Sequence, residues 1–269
     1  MRKVASQYNY LEDFINKIRS VGRYSFSLAE VKTEFDLTDK AINQNLYRLK
    51  SKQQIAQIRK GFYAIISSEF ASHGMIPATL FIDDLMQSLN KPYYIGLLSA
   101  AALHGAAHQQ PMEFFVVTEK PALRNIRNST LKINFFTKKE WSEEDILQVK
   151  TDAGDINVSS PALTALDVMF YSNSIGVNTA VTILQELVSE IKVGDMYKTA
   201  KRYPQITAIQ RLGFLVEKVI NNKKIAEALF KVLKNKVYFT VLLSNRKNKE
   251  GLLDDKWKVI KNIKIESDI

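Results

Sequence analysis

The stretch SLAEVKTEFDLTDKAINQNLYRLKSKQQIAQIRKGFYAII, residues 27–66, decides the fold of the N-terminal region because it contains two helix starts and a glycine turn. Ser27 followed by Glu30 matches a capping box, in which each side chain accepts a backbone N–H at the start of a helix. Thr38 is a second capping residue, and it predicts a helix that continues to about Lys52. The stretch therefore predicts two consecutive helices joined by a short turn.

A β-hairpin is predicted directly after these helices. A Lys-Gly turn separates two short runs, Gln54–Arg59 and Phe62–Ile66, whose residues favour strands. Upstream, Tyr10–Ser20 has apolar residues at helical spacing and predicts one further helix. The order of three helices followed by a hairpin is that of a winged helix-turn-helix, which we expect over residues 1–66.

The third predicted helix has two different faces. Ile42, Leu46 and Leu49 recur at i, i+4 and i+7 and predict a face packed on the core. The opposite face carries amide and basic side chains, which can pair with base edges or phosphates in the major groove of DNA. The candidate DNA-contacting residues of this helix and the hairpin turn are Lys40, Asn43, Gln44, Tyr47, Arg48, Lys52, Arg59 and Lys60. The alternative is a three-helix domain whose polar face is only solvated.

Charge is distributed unevenly along the 269 residues, whose net charge is +10. Residues 1–66 contain 12 basic and 6 acidic residues, residues 67–191 contain 8 and 14, and residues 192–269 contain 18 and 8. Basic ends indicate contact with a polyanion, whereas a lysine-rich solvated surface is the alternative. The same two alternatives apply to a second basic surface predicted at Lys198, Lys201, Arg202, Lys223, Lys224, Lys231 and Lys234.

The composition and the apolar segments exclude several classes of protein. The chain has no cysteine, so disulfides, thiol catalysis and cysteine-ligated zinc are excluded. The first residues turn acidic before an apolar segment forms, which is unlike a secretory signal. The longest apolar stretch, Tyr93–Ala107, is predicted to be a helix and is too short to span a bilayer. We therefore expect a cytoplasmic protein without membrane contact.

The rest of the chain predicts a second, larger domain. Residues 67–92 are predicted to be a linker with a connecting helix, and residues 93–269 a mixed domain. Met112–Thr118 and Lys132–Thr137 favour strands, and Ser160-Pro161 is typical of the start of a helical region. The predicted fold class is α+β: a winged helix-turn-helix, then a mixed α/β domain with a small sheet and a mostly helical C-terminal part.

Several residues could suggest an enzyme, but each has a simpler interpretation. His104 and His108 have the i, i+4 spacing of zinc ligands, yet Gly105 stands where a metalloprotease carries its glutamate base. Ser99 lacks the flanking glycines of a nucleophile elbow. Glu143–Asp145 is an acidic run suited to the positive end of a helix. We expect no catalytic residue, no metal and no cofactor, with a transferase-like enzyme in the middle domain as the alternative.

Three motifs in a fixed order carry a family resemblance. YYIGLLSAAALHGAAHQQPMEFFVVT at Tyr93–Thr118 combines an aromatic pair, a small-residue helix ending in His-Gly, a loop and a strand. Ser160-Pro161 through Asp167 follows, and Val241–Leu243 with Trp257–Val259 closes the chain. Together they resemble the AbiEi family, the antitoxins of bacterial abortive-infection toxin–antitoxin pairs. The matching residues of the first motif are Tyr93, Tyr94, Ser99, Leu103, His104, Gly105, Pro111 and Val116–Thr118.

The resemblance implies an antitoxin that represses its own operon. In this interpretation the winged helix binds double-stranded promoter DNA, and the C-terminal domain opposes a nucleotidyltransferase-like toxin without a stable complex. A second hypothesis is an interaction module that neutralises a toxin by direct protein binding, with DNA binding secondary.

Overall fold

The computed structural model describes residues 10–106, 112–234, 236–242, 247 and 249–265. Two compact units can be distinguished within them. The first takes in the residues up to 93 together with 118–135 and 148–157, and the second takes in 94–117, 136–147 and the residues from 158 onward. Segments of the two units alternate along the chain, whereas the predicted domains follow one another in sequence.

The first 66 residues contain the predicted helices and hairpin. The elements are α1 (Tyr10–Ser20), β1 (Ser25–Ser27), α2 (Leu28–Glu34), α3 (Asp39–Ser51), β2 (Ile55–Arg59) and β3 (Phe62–Ile65). Strand β3 lies between β1 and β2, and both pairings are antiparallel. The capping box of α2 is complete, because Glu30 N–H donates to the Ser27 hydroxyl and Ser27 N–H donates to the Glu30 carboxylate. Thr38 caps α3 by accepting the N–H of Ala41.

One apolar core holds these helices and strands together. The predicted core face of α3 is buried, as is the apolar face of α1. Phe26 of β1 stacks on Tyr63 of β3 with 5.4 Å between ring centroids, and Phe14 meets Phe26 edge-on at 5.6 Å. Because aromatic side chains bury large areas, these contacts fix α1 against the small sheet.

The segment predicted to be a linker is itself packed. It contains two 3₁₀ turns, Ser68–His73 and Ala78–Leu80, followed by α4 (Ile82–Ser88), whose apolar residues are buried. Asp84 of α4 accepts hydrogen bonds from the Ser25 hydroxyl at 2.7 Å and from the Arg23 guanidinium at 3.2 Å. The helix α4 is therefore bound to β1 within the first unit.

Six further strands form one sheet. They are β4 (Tyr93–Ile95), β5 (Phe114–Thr118), β6 (Ile126–Arg127), β7 (Lys132–Thr137), β8 (Ile146–Thr151) and β9 (Gly154–Ser159), in the order β6-β7-β5-β4-β9-β8. Strand β4 pairs in parallel with β9, with Ile95 opposite Val158, and β6 pairs antiparallel with β7. The two strands predicted at 112–118 and 132–137 are confirmed, with β5 starting two residues later.

The prediction of a single helix over Tyr93–Ala107 is wrong at its start. Residues 93–95 form β4, and α5 (Leu97–Leu103) begins only after Gly96. Aromatic and β-branched residues favour a pleated strand once a neighbouring strand is available, and β9 provides that neighbour. Ala107, His108 and Pro111 of the predicted motif lie outside the described residues.

The C-terminal part is mostly helical, as predicted. Its helices are α6 (Pro161–Phe170), α7 (Ser172–Ile175), α8 (Val177–Leu187), α9 (Val193–Arg202), α10 (Ile206–Lys218) and α11 (Lys223–Leu233). Ser160 caps α6 and Pro161 is its first residue. Three short strands follow, β10 (Thr240–Val241), β11 (Leu252–Asp254) and β12 (Val259–Lys261), in the order β10-β12-β11. The predicted fold class, α+β, is confirmed, and no helix among the described residues is long and apolar enough to cross a membrane.

Trp257, between β11 and β12, attaches the last sheet to α10. Its side chain is fully buried, and the indole N–H donates to the Glu217 carboxylate at 2.7 Å. The side-chain amide of Gln210 donates to the backbone carbonyl of Trp257 at 2.7 Å. A Cβ on Gly213 would lie 2.0 Å from the indole ring, so this helix position needs glycine for the close approach of the ring. Leu243 of the predicted closing motif lies outside the described residues.

Candidate functional site

The exposed face of α3 is the first candidate site. Lys40, Asn43, Gln44 and Tyr47 follow one another at i, i+3, i+4 and i+7, and all are exposed, with 68% of Tyr47 accessible. Among the described residues, none of these four side chains has a hydrogen-bond or ion-pair partner. Arg48 is exposed beside them. The face therefore presents amide, ammonium and phenol groups that can pair with an external molecule.

The remaining predicted contact residues differ in their surroundings. Lys52 is exposed but forms an ion pair with Glu12 of α1 at 3.1 Å. Lys60 is exposed in the turn between β2 and β3. This turn is bound to the start of α2, because the carbonyl of Gly61 accepts the N–H of Leu28 at 2.7 Å. Arg59 is half-buried, and its Nη1 is buried without a partner in the described part of the chain. Lys60 is thus the more accessible basic side chain of the turn, and the contacts of all these residues with DNA stay a prediction.

Two contacts that the sequence analysis did not predict position α3 and the start of α2. The Asn45 side chain of α3 donates to the Tyr10 hydroxyl of α1 at 2.9 Å. Arg23 forms an ion pair with Glu30 at 2.8 Å. Burial works to raise the pKa of Glu30, but hydrogen bonds from Arg23 and Ser27 outweigh it and lower that pKa below the usual value. The capping carboxylate is therefore charged at neutral pH.

A buried polar cluster around Asp167 of α6 is the second candidate site. The fully buried carboxylate accepts hydrogen bonds from the Tyr94 hydroxyl at 2.6 Å, the Tyr203 hydroxyl at 2.7 Å and the Lys138 ammonium at 2.7 Å. Burial, reinforced by the charge of Asp167, raises the pKa of Tyr94 and Tyr203 well above the usual value. Both hydroxyls are therefore protonated donors at neutral pH, and the cluster joins β4, α6, the segment after β7 and the end of α9.

Asp145 forms a second buried polar cluster in the same unit. The Thr199 hydroxyl donates to it at 2.6 Å, and two nitrogens of Arg202 donate at 2.7 and 3.3 Å. The helix expected at Glu143–Asp145 is limited to one 3₁₀ turn that begins after Ser142, because β8 begins at Ile146. Asp145 instead serves as a buried hydrogen-bond acceptor for side chains of α9. Arg202, predicted to belong to a second basic surface, is held by Asp145 and by Glu144.

A cavity of about 240 Å³ lies between these two clusters. Lys138, Trp141, Asp145, Arg202 and Tyr203 contribute to its lining. In each cluster the acid is paired with a basic residue of the same cluster: Lys138 binds Asp167, and Arg202 binds Asp145. The arrangement stabilises the interior of the second unit.

The histidines suggested as a metal pair have no further ligand in the described structure. His104, at the end of α5, has its Nε2 2.7 Å from the carbonyl oxygen of Ser159. His108 lies outside the described residues. Over the described ranges, no group of three or more His, Cys, Asp or Glu side chains is placed to hold a metal ion.

The second basic surface is brought together on neighbouring helices. Helices α9 and α11 pack against each other. The lysines of this surface are all exposed, and with Arg202 set aside they are Lys198, Lys201, Lys223, Lys224, Lys231 and Lys234.

Comparison with known proteins identifies the domain in which the buried clusters lie. Residues 94–218, from β4 to α10, match the family described as the AbiEi antitoxin C-terminal domain. The chain therefore contains an antitoxin domain of the kind found in toxin–antitoxin pairs. This domain belongs to the AbiEi family, and the resemblance predicted from Tyr94, Asp167 and their surrounding motifs is confirmed for it. No curated protein sequence gives a significant match.

A solved structure has a similar fold. The chain is similar to the crystal structure of the RV2827C protein from Mycobacterium tuberculosis, with a TM-score of 0.63 and 14% sequence identity. The similarity covers 95% of this chain and 92% of that chain. At this identity, the comparison shows a shared fold over almost the whole length of both proteins.

Proposed function

We propose that this antitoxin represses its own operon by binding promoter DNA through α3 and the β2–β3 turn. The proposal rests on the exposed face of α3, where Lys40, Asn43, Gln44 and Tyr47 have no partner among the described residues. The AbiEi domain opposes a nucleotidyltransferase-like toxin encoded beside it. The proposed role is regulatory and not enzymatic.

The geometry of α3 supports base recognition at small entropic cost. Its buried face is held by Ile42, Leu46 and Leu49, and Asn45 is hydrogen-bonded to α1. A helix held in this way presents its outward side chains in one orientation, so that binding does not have to order the backbone. Asn and Gln side chains can form two hydrogen bonds to the N6 and N7 of adenine, while Lys and Arg reach guanine or phosphate.

The DNA-binding proposal is tested by titrating a labelled duplex from the region upstream of the gene. Each phosphate neutralised by a basic side chain releases condensed counterions, so affinity falls with salt. With roughly 4–6 phosphate contacts, the Kd should rise by about two decades or more between 50 and 200 mM salt. The proposal would be abandoned if the duplex were not bound, or if its affinity were the same at both salt concentrations.

The antitoxic role is tested with the full chain, because residues 118–135 and 148–157 group with the first unit and a cut near residue 70 would divide that unit. The triple variant Asn43→Ala, Gln44→Ala, Lys60→Ala is co-expressed with the toxin from the adjacent gene. We expect growth to be rescued as by the unchanged protein, while a reporter behind the promoter is no longer repressed. Loss of rescue with normal abundance would show that α3 is needed for antitoxicity. Co-purification of the two proteins would favour neutralisation by direct binding.

A further inference from the structure

A groove of about 310 Å³ lies between α9 and α11 of the second unit. Val193 and Tyr197 line it from α9 and keep 42% and 37% of their surface exposed. They are one helical turn apart, and the buried face of the same helix is formed by other residues, Met196 and Ala200. The groove therefore has an exposed aromatic and aliphatic wall that does not contribute to the core.

The opposite wall of the groove is basic. Lys224 and Lys231 line it from α11, together with one acid, Glu227. Four further exposed lysines lie on α9 and α11 or directly after them: Lys198, Lys201, Lys223 and Lys234. In the described residues none of these six lysines is in an ion pair. The two helices carry only two acidic residues, Glu227 of α11 and Asp195 of α9. The groove therefore lies in a region of excess positive charge.

We propose that this groove binds single-stranded nucleic acid, with a base stacked on Tyr197 and the phosphates close to Lys224 and Lys231. An aromatic ring beside a row of basic side chains is the combination that holds single strands, since any base can stack on the ring and the lysines attract the backbone. Lys224 and Lys231 are seven residues apart, which is about 10 Å along the helix, so they meet different phosphates of one strand. The bases of a duplex are already stacked on each other and do not offer a face to Tyr197.

The proposal concerns a surface different from α3. Binding of duplex promoter DNA depends on Asn43, Gln44 and Lys60, whereas binding of single strands depends on α9 and α11. The two functions can therefore fail independently of each other.

The test uses the full chain and fluorescence anisotropy with labelled 15-nucleotide oligouridylate and oligothymidylate. We expect both to bind at 50 mM salt, because the groove residues contact base faces and phosphates that RNA and DNA share. Tyr197→Ala should weaken binding about tenfold, within the range measured for base–aromatic stacking, and Tyr197→Phe, which keeps the ring, should stay within about twofold. The double variant Lys224→Glu, Lys231→Glu should weaken binding more than tenfold.

The salt dependence separates specific phosphate contacts from a general effect of charge. For single strands each lost contact lowers the slope of log Kd against log salt by about 0.7, so the lysine double variant should lower it by about 1.4. The control is Lys139→Glu, Lys264→Glu, which changes the net charge equally at two exposed lysines that do not line the groove. A thermal melt of every variant establishes that it is folded.

Each outcome of this experiment decides the proposal. A larger loss in the groove variants than in the control supports it, and the homopolymer bound more tightly shows which polynucleotide the groove prefers. The proposal is wrong if neither homopolymer binds, if the control pair loses as much affinity, or if Tyr197→Ala has no effect. Gln44→Ala should leave single-strand binding unchanged, so the result does not depend on the DNA-binding role of α3.

Discussion

Helices α3 and α6 use their polar residues in opposite ways. Lys40, Asn43, Gln44 and Tyr47 of α3 face solvent without a partner in the described structure, whereas Asp167 of α6 is fully buried and accepts three hydrogen bonds. An exposed polar group keeps its water on folding and contributes little to stability. A buried charge loses its water and is tolerated only while its partners are present. The comparison indicates that α3 is available for recognition and that the cluster around Asp167 maintains the antitoxin domain.

The largest effect should come from removing the buried acid. Asp167→Ala leaves the Lys138 ammonium without its counter-charge and two tyrosine hydroxyls without an acceptor. We expect the free energy of unfolding to fall by about 3–5 kcal/mol, as for other broken buried ion pairs. Urea unfolding followed by circular dichroism measures it, and Gln44→Ala should change the same quantity by less than about 0.5 kcal/mol. Similar losses in the two variants would remove the contrast between α3 and α6.

A somewhat smaller loss in the free energy of unfolding is expected when the apolar interior of the second unit is overpacked. Gly213→Ala places a methyl group 2.0 Å from the buried ring of Trp257, so α10 or the tryptophan must move. We expect a loss of about 2–3 kcal/mol, typical of overpacking. The matched control is Gly194→Ala in α9, where a Cβ meets nothing within 4 Å and the better helix propensity of alanine should be neutral or stabilising. Equal melting temperatures for the two variants would contradict the close packing of Trp257.

The α3 face should respond in binding and not in stability. Gln44→Ala or Asn43→Ala should reduce the preference for the operator over a scrambled duplex by about 1–3 kcal/mol, the value of a two-hydrogen-bond contact with a base. Lys60→Ala and Arg59→Ala should weaken all duplexes alike, because phosphates carry no sequence information. Lys60→Ala is the cleaner of the two, since Arg59 is half-buried. A binding selection that showed the reverse pattern would assign base recognition to the β2–β3 turn.

The smallest expected effect is the loss of stability per pH unit at alkaline pH. The pKa of Tyr94 and of Tyr203 is raised in the folded state by burial and by Asp167, above the usual value of 10.0. Their contribution to stability is therefore fully present below pH 10 and is lost as the pH rises further, because the unfolded chain then releases protons that the folded chain keeps. Once the unfolded tyrosine is fully ionised, above about pH 11, each tyrosine should contribute about 1.4 kcal/mol per pH unit to this decline.

Urea unfolding between pH 9 and 11 measures this decline in the unchanged protein and in Tyr94→Phe. Because the unfolded tyrosine is only half ionised at pH 10, the variant should show a slope smaller by about 0.7 kcal/mol per pH unit averaged over this range. Identical slopes would mean that the Tyr94 hydroxyl titrates in the folded protein as it does in the unfolded chain.

The features predicted well from the sequence are those with a local physical cause. The capping box of Ser27 and Glu30, the cap of Thr38 and the start of α6 at Ser160-Pro161 each involve residues within three positions of one another. The buried face of α3 followed from helical spacing alone. The resemblance to AbiEi antitoxins added the identity of the C-terminal domain, which is confirmed over residues 94–218.

The features missed are those in which distant segments meet. Asp167 was singled out as part of a motif, but its partners Lys138 and Tyr203 lie 29 and 36 positions away, and no spacing rule connects them. The sequence does not distinguish the strand β4 from the start of a helix, because three residues carry too little periodicity. Pairing with β9 decides between the two.

By itself, the sequence determined the caps, the amphipathic faces, the absence of thiol chemistry and the family, because each depends on residue type and short-range order along the chain. Only the tertiary structure decided which polar residues are satisfied internally and which are left exposed. Asp145 and Asp167 lose their water when α6, α9 and the segment before β8 pack together, and they are compensated by side chains from those same segments. The polar face of α3 meets no such neighbour in the described structure, so it alone of these groups keeps its hydrogen-bonding capacity for a partner.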